Sequence, residues 1–357
     1  MAGDNDTSLK SFRELEYNNA KLSAQLKFEQ QKRKQAEKEL EHAQSALDML
    51  ITTQDKVTAR RIEAEAKRVK KGTAGNATAV ILASDWHIGA VVDPEEVDHC
   101  NEYNLEIAQQ RTDRFWQKAI KLLDFCQNIS HITDICLWLG GDMGNGSLFR
   151  PELAETNELG PAEEVLVVQD MLASGIEFLR KETKLPILVP TSNGNHARTE
   201  KDKRAHGAYN HSLEHIIYSN LARKFSGTPN LKFKIEKGIH NWVTIRGFDL
   251  CFQHGDTLKY SGGVGGFTIP LKRAIGRLSQ RRKASCWCLG HVHQFMQDWN
   301  FAVNGSLIGY DPFAMSVNAE WQPPVQTFMI VGPPYGKLLG IPIFCEDIEE
   351  ATKGGKK

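Results

Sequence analysis

The sequence has no net charge and no long hydrophobic run. Its 357 residues include 44 Lys and Arg and 44 Asp and Glu, which gives a formal net charge of zero. A chain with this balance has no overall field that attracts nucleic acid or membrane surfaces, so any such affinity must be local. No stretch approaches the ~20 apolar residues of a membrane span, and the N-terminus carries no apolar leader segment. We therefore expect a cytoplasmic protein with no membrane partner.

The sequence also lacks a paired pattern of cysteines. It has seven Cys, an odd number, and most of them lie inside apolar runs, which favours reduced thiols over a disulfide framework. Cys286 and Cys288 are separated by one residue, which is too few for the Cys-x-x-Cys spacing of zinc and redox sites. Their alternation predicts a strand instead.

Residues 12–57 have hydrophobic residues at 3,4 spacing, which is the heptad pattern of a coiled coil. The a positions are Phe12, Asn19, Leu26, Leu40 and Leu47, and the d positions are Leu15, Leu22, Ala36, Ala43, Leu50 and Val57. Because a buried Asn at an a position often fixes a two-stranded register, Asn19 favours a parallel homodimer. Glu29 and Arg33 interrupt the seam, and a single solvated or partly disordered helix is the alternative.

A basic stretch, ARRIEAEAKRVKKG at 59–72, separates this helix from the rest of the chain. We therefore predict a coiled-coil helix and basic linker over residues 1–72 and one large domain over residues 73–357. In the large domain, short apolar runs rich in β-branched residues alternate with helical patterns, which predicts an α/β fold. The predicted strands are 79–83, 135–139, 187–189, 250–253, 286–289 and 327–331, and the predicted helices lie near 105–128, 161–182, 208–225 and 270–283.

Side chains that can bind metal follow five of these predicted strands. They are Asp85 and His87, Asp142, Asn195 with His196, His254, and His291 with His293. Ligands gather beyond the carboxyl ends of strands in α/β sheets. Any one of these residues could instead be a helix cap or a satisfied polar residue. The ordered series D-x-H, GGD, GNH, HGD and GHVH points to a metal site, and its mixture of imidazole, carboxylate and amide suits manganese, iron or zinc better than Mg²⁺ or Ca²⁺.

This series resembles the motifs of the calcineurin-like metallophosphoesterase superfamily, with matches from Asp85 to His293. The resemblance implies a four-layer α/β/β/α sandwich that binds two divalent ions, with manganese favoured and iron, zinc, nickel or cobalt as alternatives. It assigns Asp85, His87, Asp142 and His293 to one ion, and Asp142, Asn195, His254 and His291 to the other. Asp142 would bridge the two ions. Two such ions activate water and stabilise an in-line attack on phosphorus.

The resemblance also makes His196 the acid that protonates the leaving oxygen, with a hydrogen-bonding role as the alternative. The protein-phosphatase branch continues its second motif with Asp-Arg-Gly, whereas here GGD is followed by Met143-Gly-Asn-Gly146. Phosphoprotein specificity is therefore not indicated. Outside the motifs, the chain is loosely similar to the DNA-repair nucleases and to bacteriophage and bacterial phosphoesterases.

Two basic runs could bind nucleic acid, with DNA favoured. They are Arg198, Lys201, Lys203 and Arg204, directly after GNH, and Lys272, Arg273, Arg277, Arg281, Arg282 and Lys283, just before GHVH. Solvated surface charge is the alternative for both. We therefore expect a phosphodiesterase that cleaves nucleic acid. The alternatives are a small-molecule phosphatase or cyclic-nucleotide phosphodiesterase, and a catalytically idle coiled-coil adaptor.

We predict that deletion of residues 1–72 converts an oligomer to a monomer, because the heptads supply the seam. Light scattering on the full chain and the shortened chain measures this mass change. Hydrolysis of a small chromogenic diester should be unchanged, since the predicted ligands all lie beyond residue 72. An unchanged mass would rule out the coiled-coil dimer.

Overall fold

The computed structural model describes residues 75–148, 150–258 and 266–346, together with Lys32, Lys34 and Lys38. The heptad segment and the basic linker otherwise lie outside the described residues, so the coiled coil and the domain boundary near residue 72 stay predictions. The described part of the chain contains two mixed β-sheets and six α-helices. The predicted α/β class is confirmed.

The eleven strands and six helices of the described residues alternate along much of the chain. The strands are β1 (Ala77–Ala83), β2 (Ile132–Leu139), β3 (Ile187–Thr191), β4 (Leu231–Ile235), β5 (Asn241–Ile245), β6 (Phe248–Phe252), β7 (Cys286–Leu289), β8 (Met296–Asp298), β9 (Phe301–Val303), β10 (Val325–Gly332) and β11 (Gly336–Phe344). The helices are α1 (Leu105–Gln127), α2 (Pro151–Thr156), α3 (Pro161–Thr183), α4 (Leu213–Lys224), α5 (Thr268–Arg281) and α6 (Pro312–Ser316). None of these helices is both long and apolar enough to cross a bilayer.

The first sheet has six strands in the order β11-β10-β1-β2-β3-β4. The four strands from β1 to β4 are parallel, while β10 runs antiparallel to β1 and to β11. Because parallel strands are usually covered on both faces, β1 consists of small and apolar residues along its whole length, and all of them are buried. The carboxyl ends of β1, β2 and β3 meet at one edge of this sheet.

The second sheet has five strands in the order β5-β6-β7-β9-β8. Strands β6, β7 and β9 are parallel, and the edge strands β5 and β8 are antiparallel to their neighbours. The loops that follow β6 and β7 carry His254, His291 and His293. The two sheets therefore both deliver predicted ligands from the carboxyl ends of parallel strands.

Apolar side chains from both sheets form one buried cluster. The first sheet contributes Val80, Leu82, Cys136, Trp138, Met329 and Val331, and the second contributes Val243, Ile245, Leu250, Phe252, Cys286, Cys288 and Ala302. On the other face of the first sheet, Phe115 of α1, Leu172 of α3 and Leu221 of α4 join the core. On the other face of the second sheet, Leu271 and Ile275 of α5 pack with strand residues. Helices thus cover the outer face of each sheet.

The structure corrects several predicted elements. The six predicted strands are present, but β4, β5, β8, β9 and β11 were not predicted. The predicted helix at 208–225 is also wrong in its first part. A 3₁₀ turn at Ala208–His211 precedes α4, and Ser212 between them is extended. The break arises because Leu213 N–H donates to the carbonyl of Ala197, which ties the chain to the loop after β3 at this point.

Candidate metal centre

The predicted ligands stand on sharply turned loops. Asp85, His87, Asp142, His291 and His293 all have positive φ, between 50° and 71°. Residues other than glycine seldom adopt this left-handed conformation, and when they do, it often marks a functional site. The backbone hydrogen bonds of these loops link the strands: Asp85 N–H donates to the Gly141 carbonyl and His87 N–H to the Asp142 carbonyl.

One group of potential ligands consists of Asp85, His87 and His293, whose ligand atoms all lie within 4.8 Å of one another. The Nε2 atoms of His87 and His293 are 3.0 Å apart, and His293 Nε2 lies 3.6 Å from Asp85 Oδ1. His87 Nδ1 donates to Asn145 Oδ1 at 3.0 Å. This hydrogen bond fixes the tautomer, because it leaves the lone pair on Nε2, the atom that faces His293.

A second group consists of Asp142, His254 and His291. His254 Nδ1 donates to the Gly140 carbonyl at 2.9 Å, and its Nε2 lies 2.9 Å from Asp142 Oδ2. Metal-binding histidines commonly donate their other ring N–H to a carbonyl oxygen in this way. Asn195 is 5% exposed, and its Oδ1 has no hydrogen-bond partner among the described residues.

Asp142 connects the two groups. Its ligand atom also clusters with those of His87 and His196, and its Oδ1 accepts the backbone N–H of His196 at 2.7 Å. The His196 ring is edge-on to that of His87, with a centroid separation of 4.5 Å. The structure thus brings His196 to the same place as the predicted ligands.

The electrostatics of these buried groups favour a cation. Burial opposes the charged form of His254, but the neighbouring Asp142 carboxylate raises the pKa of its ring to about 10. Burial and, second to it, the positive charge of His254 lower the pKa of His291 to about 3. Burial also raises the pKa of Asp85. Without a cation, protons must therefore balance the charge of the buried carboxylates. A bound metal ion would displace those protons.

The donor set fits divalent metal ions. Nε2 of His254 faces a carboxylate oxygen of Asp142, and the Nε2 atoms of His87 and His293 face each other. Such contacts are unfavourable unless a proton or a metal lies between the atoms. The buried Asn195 Oδ1 needs a partner as well. Asp85, His87, Asp142, Asn195, His254, His291 and His293 would hold the ions.

Two motif glycines give the carboxylates room. A Cβ on Gly194 would collide with Asp142 Oδ1, and a Cβ on Gly290 would collide with Asp85 Oδ2. These glycines precede Asn195 and His291. The close approach of the backbone to each carboxylate explains why the GNH and GHVH motifs begin with glycine.

A buried polar network fixes Asp85. Ser84 Oγ donates to Asp85 Oδ2 at 2.5 Å, and Asn304 Nδ2 donates to Ser84 Oγ at 2.9 Å. Gln326 Oε1 accepts from both Ser84 N–H and Asn304 Nδ2 at 3.0 Å. His291 N–H donates to Asp85 Oδ1 at 2.9 Å. The carboxylate is therefore held from both sheets.

Two buried glutamates accept hydrogen bonds from the loops that carry the predicted ligands. These glutamates were not predicted from the sequence. Glu214 Oε1 accepts Met143 N–H at 2.8 Å and its Oε2 accepts Gly194 N–H at 2.6 Å. Glu164 accepts Gly146 N–H at 3.0 Å. Burial raises the pKa of Glu164 to about 7 and, together with the Asp142 charge, that of Glu214 to about 8.

A signal for these glutamates does exist in the sequence. Glu214 precedes the buried residues Ile217, Tyr218 and Leu221 of α4 at helical spacing, so it lies on the apolar face. Glu164 has the same relation to Val168 in α3. A charged residue on the buried face of an amphipathic helix needs a partner, and here the partners are the ligand loops.

Half of the ten basic residues in the two runs contact protein groups. Arg198 donates to the carbonyls of Asn195, Glu200 and Lys201. Ion pairs join Lys203 to Asp256, Arg204 to Glu200, Lys272 to Asp298 and Arg282 to Asp249. The remaining members of the two runs are exposed: Lys201, Arg273, Arg277, Arg281 and Lys283.

We predict that Glu214→Ala lowers both the free energy of unfolding and the metal content. The substitution leaves two backbone N–H groups unpaired in the interior, which costs about 1 to 3 kcal/mol each. Glu214→Gln keeps an acceptor oxygen and should lose less. Urea unfolding and elemental analysis measure the two effects, with Glu182→Ala at an exposed position of α3 as the control. Wild-type stability and metal content in Glu214→Ala would disprove this positioning role.

Comparison with protein-family models found no match, and neither did comparison with curated proteins. Among solved structures, Vps29 of Entamoeba histolytica complexed with Zn²⁺ is 12% identical over 74% of this chain and 99% of that one, with a TM-score of 0.29. A predicted phosphoesterase of Streptococcus pneumoniae is 12% identical over 71% and 82%, with a TM-score of 0.26. A hypothetical protein of Pyrococcus horikoshii is 11% identical over 78% and 94%, with a TM-score of 0.34. Values this low support no conclusion about activity.

Proposed function

We propose that this chain is a metal-dependent phosphoesterase of the calcineurin-like type that uses two divalent ions, with manganese favoured. The observation that carries the proposal is the pair of ligand groups joined at Asp142. In them, His254 Nε2 lies 2.9 Å from an Asp142 oxygen, and the Nε2 atoms of His87 and His293 are 3.0 Å apart. The four-layer α/β/β/α arrangement is part of this proposal. It is supported by the core cluster between the sheets and by the helices on their outer faces.

The described side chains would have separate roles in phosphoester hydrolysis. Ions held by Asp85, Asp142 and their neighbours would supply an activated water and positive charge at the phosphoryl group. His196 has its Nδ1–H bound to the Asn145 carbonyl at 2.6 Å. Its ring is therefore fixed in orientation, and Nε2 is the nitrogen that can carry a proton to a leaving oxygen.

The substrate class is the finer part of the proposal. We favour phosphodiesters, and nucleic acid among them, because exposed cations remain on α5 at Arg273, Arg277 and Arg281. The ion pairs of Lys203 and Arg204 favour the rival substrate class, a small phosphodiester or phosphomonoester, because they reduce the positive charge available near the site.

We expect metal-stripped protein reloaded with Mn²⁺ to hydrolyse bis(nitrophenyl) phosphate, and Asp142→Ala to abolish this activity. Because Asp142 alone would contact both ions, elemental analysis should also show a larger loss of metal for Asp142→Ala than for Asp85→Ala. Asp124→Ala, on the exposed face of α1, is the matched control.

The same assay separates the candidate functions. Mn²⁺-loaded protein is incubated with single-stranded DNA, duplex DNA, RNA, nitrophenyl phosphate and a cyclic nucleotide. Cleavage of the polymers supports the nuclease, while turnover of the small esters alone supports the rival. Protein that binds no metal and hydrolyses none of these compounds would be a catalytically idle adaptor, and the proposed function would be wrong.

We predict that His196→Ala slows cleavage of DNA, whose leaving group is an alkoxide, by roughly 10²- to 10⁴-fold. It should slow bis(nitrophenyl) phosphate much less, because a nitrophenolate leaves without being protonated. Rates on the two substrates are compared at confirmed metal content. Equal losses would leave His196 with an orienting role and not a proton-transfer role.

A further inference from the structure

Arg150 contacts His196 and was not among the predicted site residues. It precedes α2 and is half-buried, and its Nη1 lies 3.1 Å from His196 Nε2. The other ring nitrogen of His196, Nδ1, is 2.6 Å from the Asn145 carbonyl oxygen. A carbonyl oxygen can only accept a hydrogen bond, and a guanidinium can only donate. Nδ1 therefore carries the proton, and Nε2 accepts from Arg150.

In this arrangement Arg150 donates to Nε2, the His196 nitrogen that would protonate a leaving oxygen. One lone pair cannot accept from Arg150 and also hold a proton. The guanidinium must therefore withdraw from Nε2 before His196 can hold a proton there. After it withdraws, the guanidinium needs another hydrogen-bond acceptor.

Arg150 makes no ion pair with a described residue. Burial lowers the pKa of its guanidinium, and the carboxylates of Asp142 and Glu152 oppose this from a greater distance. Among residues 75–148, 150–258 and 266–346, no carboxylate oxygen lies within ion-pair distance of its guanidinium. Three other arginines differ in this respect. Arg111 and Arg204 pair with Glu346 and Glu200, and Arg198 is bound to three carbonyls. Arg150 therefore has a neutral imidazole where the others have carboxylates or carbonyls.

A phosphate oxygen is a better partner for a guanidinium than a neutral imidazole. Arginine forms charge-assisted hydrogen bonds to phosphate, and its planar fork can bind two oxygens at once. Arg150 contacts the ring of His196, and a ring nitrogen of His196 clusters with ligand atoms of His87 and Asp142, beside which a substrate phosphoryl group would lie.

We propose that Arg150 is a substrate-positioning residue whose guanidinium leaves His196 Nε2 and binds a non-bridging oxygen of the substrate phosphate. The inference rests on the proposed function, because the phosphate is the substrate of that site. Binding of the phosphate then uncovers Nε2 at the moment when a leaving oxygen comes within its reach. Arg150 would thus orient the bound phosphate, and Nε2 of His196 would become free to hold a proton.

The test uses Arg150→Met and Arg150→Lys in the full chain loaded with Mn²⁺, with Arg180→Met on the exposed end of α3 as the control. The first readout is the dissociation constant of inorganic phosphate by calorimetry, which does not depend on turnover. Loss of a charge-assisted hydrogen bond should weaken phosphate binding roughly 10- to 100-fold in Arg150→Met. Arg150→Lys keeps the charge and should recover part of this affinity, and the control should match wild type.

The second readout is the KM for bis(nitrophenyl) phosphate, which should rise by a similar factor in Arg150→Met at unchanged metal content. Unchanged phosphate affinity and KM in Arg150→Met, with wild type active, would overturn the inference alone. A fall in kcat without any loss of phosphate affinity would also overturn it. A wild-type protein that loads metal but neither binds phosphate nor hydrolyses esters would overturn the proposed function and this inference together.

Discussion

The burial of Asp85 and Asp142 is the constraint on which the rest of the structure depends. Their side chains are 0% and 1% exposed, and an uncompensated carboxylate in such surroundings is strongly destabilising. Each carboxylate therefore has neighbours that supply hydrogen-bond donors or positive charge: Ser84 and His291 N–H for Asp85, His254 and His196 N–H for Asp142. The loops turn through left-handed conformations to bring these groups together.

The same constraint explains the buried groups around the candidate ligands. Glu214 and Glu164 accept backbone N–H groups of the loops that carry Asp142 and Asn195, and Gln326 holds Ser84 by both of its amide atoms. Arg111 donates to the carbonyls of Leu307 and Ile308, and the Leu307 N–H donates to the Asp85 carbonyl. Most of these contacts join residues far apart in sequence, so the site is built from the tertiary structure and not from any single loop.

Sequence reasoning could find the ligand-type residues because each follows an apolar strand directly. The ordinary rule for parallel sheets then places Asp85 and Asp142 at one edge of the first sheet and His254 at the corresponding edge of the second. It could not find β8 and β9, because strands of three residues give no periodic signal. It also could not show that Arg198 is bound to three carbonyls, since those contacts form only when the loop after β3 closes. Likewise, the role of Arg150 depends on its distance from His196, which no spacing encodes.

The division of the candidate ligands between the two sheets has a consequence for how firmly the sheets are held together. Asp85, His87, Asp142 and Asn195 follow strands of the first sheet, whereas His254, His291 and His293 follow strands of the second. An ion held by both sets is a cross-link between two layers that otherwise adhere mainly through apolar contact. Since a ligand stabilises the state that binds it in proportion to the logarithm of its concentration over its dissociation constant, metal supply would set how firmly the layers hold together. Bound metal ions would thus stabilise the contact between the two sheets.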